Sequence, residues 1–139
     1  MDPRCVVDGL IGLNDQLVFH SYFELYPWLT IALGQISIVN NVILYNRNDG
    51  LGHWLHSVEI RVGMSSSWSE MKVCGRFDGP SQTGQNHTIK CETEPALYGT
   101  YVTVKIVRPN YITVEESADA SGGKNALVLQ EVVVNGYYA

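Results

Sequence analysis

The chain has 139 residues, 45% of them hydrophobic and 17% charged, with a net charge of −5. That mix supports one packed domain and excludes a disordered chain. Its 9 Lys and Arg residues never gather beyond two or three, which excludes the basic footprint of a nucleic-acid binder and disfavours anionic membranes as partners. In chain order, Met1-Asp2-Pro3-Arg4 lacks the apolar core of a signal peptide, so the segment reads either as mature protein with a start Met or as an excised piece. No apolar run reaches the roughly 18 residues of a membrane span. Everything up to Pro27 reads mostly as irregular loop, a usual place for function ahead of a compact body.

From Trp28 the pattern turns to strands. Trp28 to Leu33 is rich in β-formers and stops at Gly34; Ile36 to Tyr45 follows and breaks at Asn46-Arg47-Asn48-Asp49-Gly50. Leu55 to Val62 alternates, with Ser57, Glu59 and Arg61 on one face and His56, Val58, Ile60 and Val62 on the other. Short strands are expected at Lys72 to Cys74 and Thr88 to Cys91, separated by turn-rich segments at Asp78-Gly79-Pro80-Ser81 and Thr83-Gly84-Gln85-Asn86. Gly99 to Val107 alternates cleanly, 117–124 reads as a loop, and Leu127 to Val134 is the last strand. Seven or eight short strands between Gly, Pro and Asn turns predict an all-β fold, an antiparallel sandwich or jelly roll over the whole chain.

Chemistry-bearing patterns are few. His53-x-x-His56 lacks a third nearby ligand for zinc. Glu115 and Glu116 are neighbours, and neighbouring strand residues face opposite ways, so they make a poor glycosidase pair. No nucleophile elbow or phosphate loop is present, so the reading is binding without catalysis. The three cysteines, Cys5, Cys74 and Cys91, leave the redox compartment open by their odd number. Asn86-His87-Thr88 makes Asn86 a glycosylation candidate and adds slight weight to a secreted protein.

Several segments, in order, resemble the F-type lectin (fucolectin) family: Val7-Asp8-Gly9, Pro27 to Gly34, Val39 to Asp49, Glu59-Ile60-Arg61-Val62-Gly63, Tyr98 to Val104 and Leu129 to Gly136. The likeness covers nearly the whole chain, except that the family's first edge segment is missing. It implies a discoidin-like, eight-stranded jelly roll that holds fucosylated or related glycans. The family's sugar signature is a His, a long spacer of fixed length, Arg-x-Asp, a short spacer, then Arg or Lys. Here His20 and Arg47-Asn48-Asp49 stand at the signature's spacing, but Trp54 occupies its last position.

The resemblance therefore assigns sugar contact to His20 and Arg47, with Asp49 as the brace of the guanidinium. Arg carries a rigid fork of donors that suits adjacent hydroxyls, and bonds from a charged donor are about twice as strong as neutral ones. Trp54 is expected either to stack on a sugar's apolar face or to be a core or rim aromatic. His53 is a substitute donor, and Leu51 supplies apolar contact where the family carries a vicinal Cys pair. Phe19, Tyr22, Phe23 and Tyr26 are candidates for an apolar pocket around His20.

The same resemblance implies a structural calcium ion. Asp8 and Glu131 match its ligand positions and Asn14 or Asp15 could reach in, toward the six to eight oxygens the ion takes. It also pairs Cys74 with Cys91 and leaves Cys5 over. Weak single sites imply oligomers or tandem domains for avidity. Two alternatives stand beside the lectin reading: a degenerate member with another glycan or a protein ligand, and a discoidin-like adhesion module that docks on membranes through Trp68 beside Ser65-Ser66-Ser67.

Overall fold

A computed structural model describes residues 5–7, 19–93, 96–112 and 122–138, and of 5–7 the backbone alone. The strands are β1 (Cys5–Val7), β2 (Phe19–His20), β3 (Trp28–Asn46), β4 (Val58–Gly63), β5 (Lys72–Phe77), β6 (Asn86–Lys90), β7 (Tyr98–Ile106) and β8 (Val128–Tyr138). All pairings among them are antiparallel, in the order β1-β8-β3-β7-β4-β5, with β2 also on β8 and β6 also on β3. The helical content of the described residues is two short 3₁₀ turns, Gly52–Trp54 and Trp68–Glu70.

One strand serves both layers of the sandwich. The first part of β3, Trp28 to Ala32, pairs with β7; the second, from Asn41 to Tyr45, runs between β6 and β8. The break expected at Gly34 is a kink within a 19-residue strand rather than the end of one strand and the start of another. Gly34 takes it with φ 88°, a left-handed value that residues with a Cβ avoid. The alternation then changes phase. Ile31, Leu33, Ser37 and Val39 are buried before the register shift between Val39 and Asn41, and Val42, Leu44 and Asn46 after it. One extra residue at such a bulge sends the following side chains to the other face, which keeps β3 turned toward the core in both layers.

The core joins Val42 and Leu44 of β3, Val58, Ile60 and Val62 of β4, Val102, Val104 and Ile106 of β7, and Leu129, Val132 and Val134 of β8. The N-terminal loop expectation is corrected in two places: β1 and β2 each add a short antiparallel pairing to β8. The polar face of β4 is also more deeply covered than its alternation implies. Glu59 is buried and accepts hydrogen bonds from Arg61 Nε and, at 3.1 Å, from Arg76 Nε. Trp68 lies over this face, 5.2 Å from the Arg61 guanidinium and 4.2 Å from Lys105 Nζ, with Trp28 at 6.3 Å. It is half-buried between cations, and so it is not the free apolar tip that the membrane-docking alternative requires. Cys74 and Cys91 are joined in a disulfide, as the resemblance implied.

Candidate functional site

The signature Arg is set by the residue before it. Asn46 ends β3 fully inside the protein, where its carboxamide must find partners. Its Nδ2 donates to Gly52 O and Gln82 O, both at 2.9 Å, and to Ser81 Oγ at 3.1 Å. Its Oδ1 accepts from Arg47 N at 2.9 Å. Backbone bonds from Asn46 N to Gln85 O (3.0 Å) and from Gly84 N to Arg47 O (2.8 Å) fasten the same segment from outside. Gly52 N donates to Thr83 Oγ1 at 3.0 Å, and a Cβ on Gly52 would run into the Thr83 backbone. The segment Ser81 to Gln85 thus braces the loop that carries Arg47.

Arg47 is forked on Asp49, with Nε 2.7 Å from Oδ1 and Nη2 3.0 Å from Oδ2. The guanidinium lies over Trp54, its Cζ 5.1 Å from the ring centroid. Trp54 rests in turn on Ala126 and Val128, with Leu51 packed beside it and Phe23 edge-on at 5.3 Å. Two donors at this stack, Arg47 Nη1 and Trp54 Nε1, are buried without a hydrogen-bond partner. The Asp49 carboxyl is held below its ordinary 3.8, chiefly by the hydrogen bond from Arg47, with partial burial opposing and the charges of Arg47 and His20 adding to the fall. The fork therefore stays ionised at neutral pH.

His20 reaches this corner through β2, which pairs with Val128 of β8, the residue beneath Trp54. The imidazole is exposed, and its Nδ1 lies 2.8 Å from Ser21 O. A carbonyl only accepts, so Nδ1 donates to it, and Nε2 takes no part in that bond. His20 thus lies close enough to Asp49 for its charge to be felt there, although most of β3 and all of the loop before it separate it from Arg47 along the chain. Leu51, at φ 56°, covers the stack, and His53 is half-buried in the following 3₁₀ turn.

Trp54 departs from the stacking role considered for it. It is 8% exposed and one of its faces holds the guanidinium, so it supports Arg47 instead of lying open to a sugar. The four aromatics near His20 also divide. Phe23 joins Trp54, Phe19 packs against the main core, Tyr22 is exposed, and Tyr26 lies 5.7 Å from Lys105 Nζ.

Of the calcium ligands, Asp8 and Asn14 lie outside the described residues. Glu131 is half-buried on β8 opposite Tyr45. Among the described residues, no three His, Cys, Asp or Glu side chains converge to hold a metal ion. Asn86 is exposed at the start of β6. The sequence did not single out Asn46 or the brace at Ser81 to Gln85; an Asn at the buried end of an apolar strand was the available signal.

The chain resembles solved sugar-binding proteins in fold. A fucolectin from the serum of the striped bass, Morone saxatilis, is 28% identical with a TM-score of 0.68, covering 86% of this chain and 36% of its own. This chain thus spans about a third of that protein. A Streptococcus pneumoniae fucose-binding module is 22% identical, with a TM-score of 0.54 and coverage of 85% and 71%. A Clostridium perfringens module, CpGH89CBM32-5, was solved with GalNAc-β-1,3-galactose; it is 16% identical, with a TM-score of 0.65 and coverage of 90% and 78%. No curated protein sequence matches the chain. The family model described as the NedA-like, galactose-binding domain, of F5/F8 type C, matches residues 5–104, and the chain belongs to that family.

Proposed function

We propose that this domain is a non-catalytic lectin module that holds a neutral glycan at the Arg47 corner, with L-fucose-containing or closely related sugars as its ligands. The observation that carries the reading is the guanidinium itself. It is buried, fixed by Asp49 and backed by Trp54, yet keeps one donor without a partner. A surface ion pair needs no such support, and a buried donor left unpaired costs about 1–3 kcal/mol. A ligand hydroxyl or ring oxygen offers that donor an acceptor once the loop admits it. His20 Nε2 is available to hydrogen-bond a second hydroxyl, which can both donate and accept, and Leu51 and Phe23 face the sugar's apolar side.

The match to a family described as a galactose-binding domain supports a related reading, in which the corner prefers galactose-type sugars over fucose. Isothermal titration with L-fucose and with D-galactose, on the native chain and on Arg47→Ala, tests both. Arg47→Ala should weaken the preferred sugar roughly 10- to 100-fold, the loss of a charged hydrogen-bonding fork. Equal heats for the two proteins overturn the assignment, and the order of the two sugars decides between the readings.

Calcium belongs to the same proposal, with Asp8, Asn14 and Glu131 as oxygen ligands. Added calcium should raise the melting temperature and EDTA should reverse the rise; the same melting curve with and without the ion removes it. An exposed Asn86 and a closed disulfide fit an extracellular setting, where repeated or tandem copies would give weak sites their avidity.

A further inference from the structure

The far end of the sandwich carries a second concave site. Arg47 and Trp54 lie before β4, whereas this groove opens beyond its last residues, Val62 and Gly63. The six residues of β4 alone span about 20 Å. The groove encloses about 560 Å³ and is lined by Met64, Glu70, Lys72, Thr93, Leu97 and Tyr98, among others. That volume falls within the roughly 300–1,000 Å³ of small-molecule sites.

We propose that this groove is a second saccharide site, independent of the Arg47 corner, which makes one copy of the domain bivalent. Tyr98 is 60% exposed and Met64 51%, so the wall presents an aromatic face and a thioether to solvent. Glu70 and Lys72 are both exposed at the rim, and among the described residues neither has an ion-pair partner. One is an acceptor and the other a donor at neutral pH. The Thr93 hydroxyl is buried at the groove without a hydrogen-bond partner.

These groups narrow the ligand by elimination. A purely apolar ligand would desolvate the two charges and leave Thr93 unpaired. An anion would face Glu70, and a cation would face Lys72. A neutral polyol answers all of them, because each hydroxyl both accepts and donates while the C–H face of the ring lies on the aromatic wall.

The test is a ¹⁵N amide NMR titration of the Arg47→Ala chain, in which the first corner is disabled, with L-fucose, D-galactose and N-acetyl-D-glucosamine in turn. Saturable shifts are expected at Gly63, Ser65, Lys72 and Thr93 with at least one of the sugars. Tyr98→Ala should weaken them at least ten-fold, and Tyr98→Phe, which keeps the ring, should retain them. Silent groove amides with all three sugars overturn the proposal, as do shifts of equal size in Tyr98→Ala. Groove shifts in a native chain that gives no response around Arg47 would support this site while sinking the lectin reading of the first.

Discussion

Among the described residues, cations stack on tryptophan in two places, and the two differ in what they leave over. On the outer face of β4 and β7, Glu59 receives both Arg61 and Arg76. Lys105 donates to Tyr26 O at 3.2 Å and lies 4.2 Å from the Trp68 ring and 5.0 Å from that of Trp28. No Arg or Lys nitrogen in that cluster is both buried and unpaired. At the loop end, Arg47 on Trp54 has the same chemistry, but the guanidinium Nη1 and the indole Nε1 remain without acceptors. A closed network reads as architecture, whereas an open one reads as a place prepared for something else. Composition alone does not separate them, since each is Arg, carboxylate and Trp.

Breaking the closed cluster should give the largest loss of stability. Glu59→Leu strands Arg61 against Trp68, while Arg76, largely exposed, returns to water. The expected cost is about 2–3 kcal/mol in urea unfolding, below the full penalty for splitting a buried pair. Next comes acid sensitivity behind the Arg47 loop. His56 Nε2 donates to Asn125 Oδ1 at 2.7 Å, and its Nδ1 lies 3.0 Å from Ser57 Oγ. Burial lowers the pKa of His56 from 6.5, partly opposed by the Asn125 bond, and the Arg108 charge lowers it further. The unfolded chain then takes up the proton first. The stability from His56 is complete above 6.5 and is lost as the pH falls toward the depressed folded value. The urea midpoint should drop between about pH 7 and pH 5. His56→Gln should flatten the slope, and His87, lowered in the same direction by burial, should keep some of it.

Arg47→Ala sharpens the contrast from the other side. It should cost less than about 1 kcal/mol of stability, because Asp49 is half-exposed and readily solvated, even as sugar binding collapses. A loss of stability as large as that of Glu59→Leu would make the corner architecture after all. The smallest effect belongs to Lys105→Met. Burial lowers the Lys105 pKa below its usual 10.5, against the pull of Glu24 and Glu59, so its charge is held at a cost at neutral pH. Met keeps the stem between the rings, and urea unfolding should find stability unchanged or raised by up to about 1 kcal/mol.

What the sequence made legible follows the range of each interaction. The Arg-x-Asp fork joins residues two apart, and the alternation of β7 is local; both could be read directly. The alternation from Gly99 to Val107 sets Lys105 on the face opposite Val104 and Ile106, but its burial depends on Trp28 and Trp68, which arrive from distant segments. β1 and β2 are too short to show a period and exist because β8 offers them an edge. The work of Asn46 was hidden for the same reason, since Ser81 and Gln82 belong to a distant part of the chain, beyond β4 and β5.

The Cys74–Cys91 bond encloses the whole of that brace, from Ser81 to Gln85, together with β6. The loop holding Arg47 therefore leans on a covalent ring. Reduction should loosen the ring before it unfolds the sandwich, because the apolar core spans strands on both sides of the bond. Opening the bond would free the strap that carries the brace while leaving the core strands β3, β7 and β8 outside the ring in place.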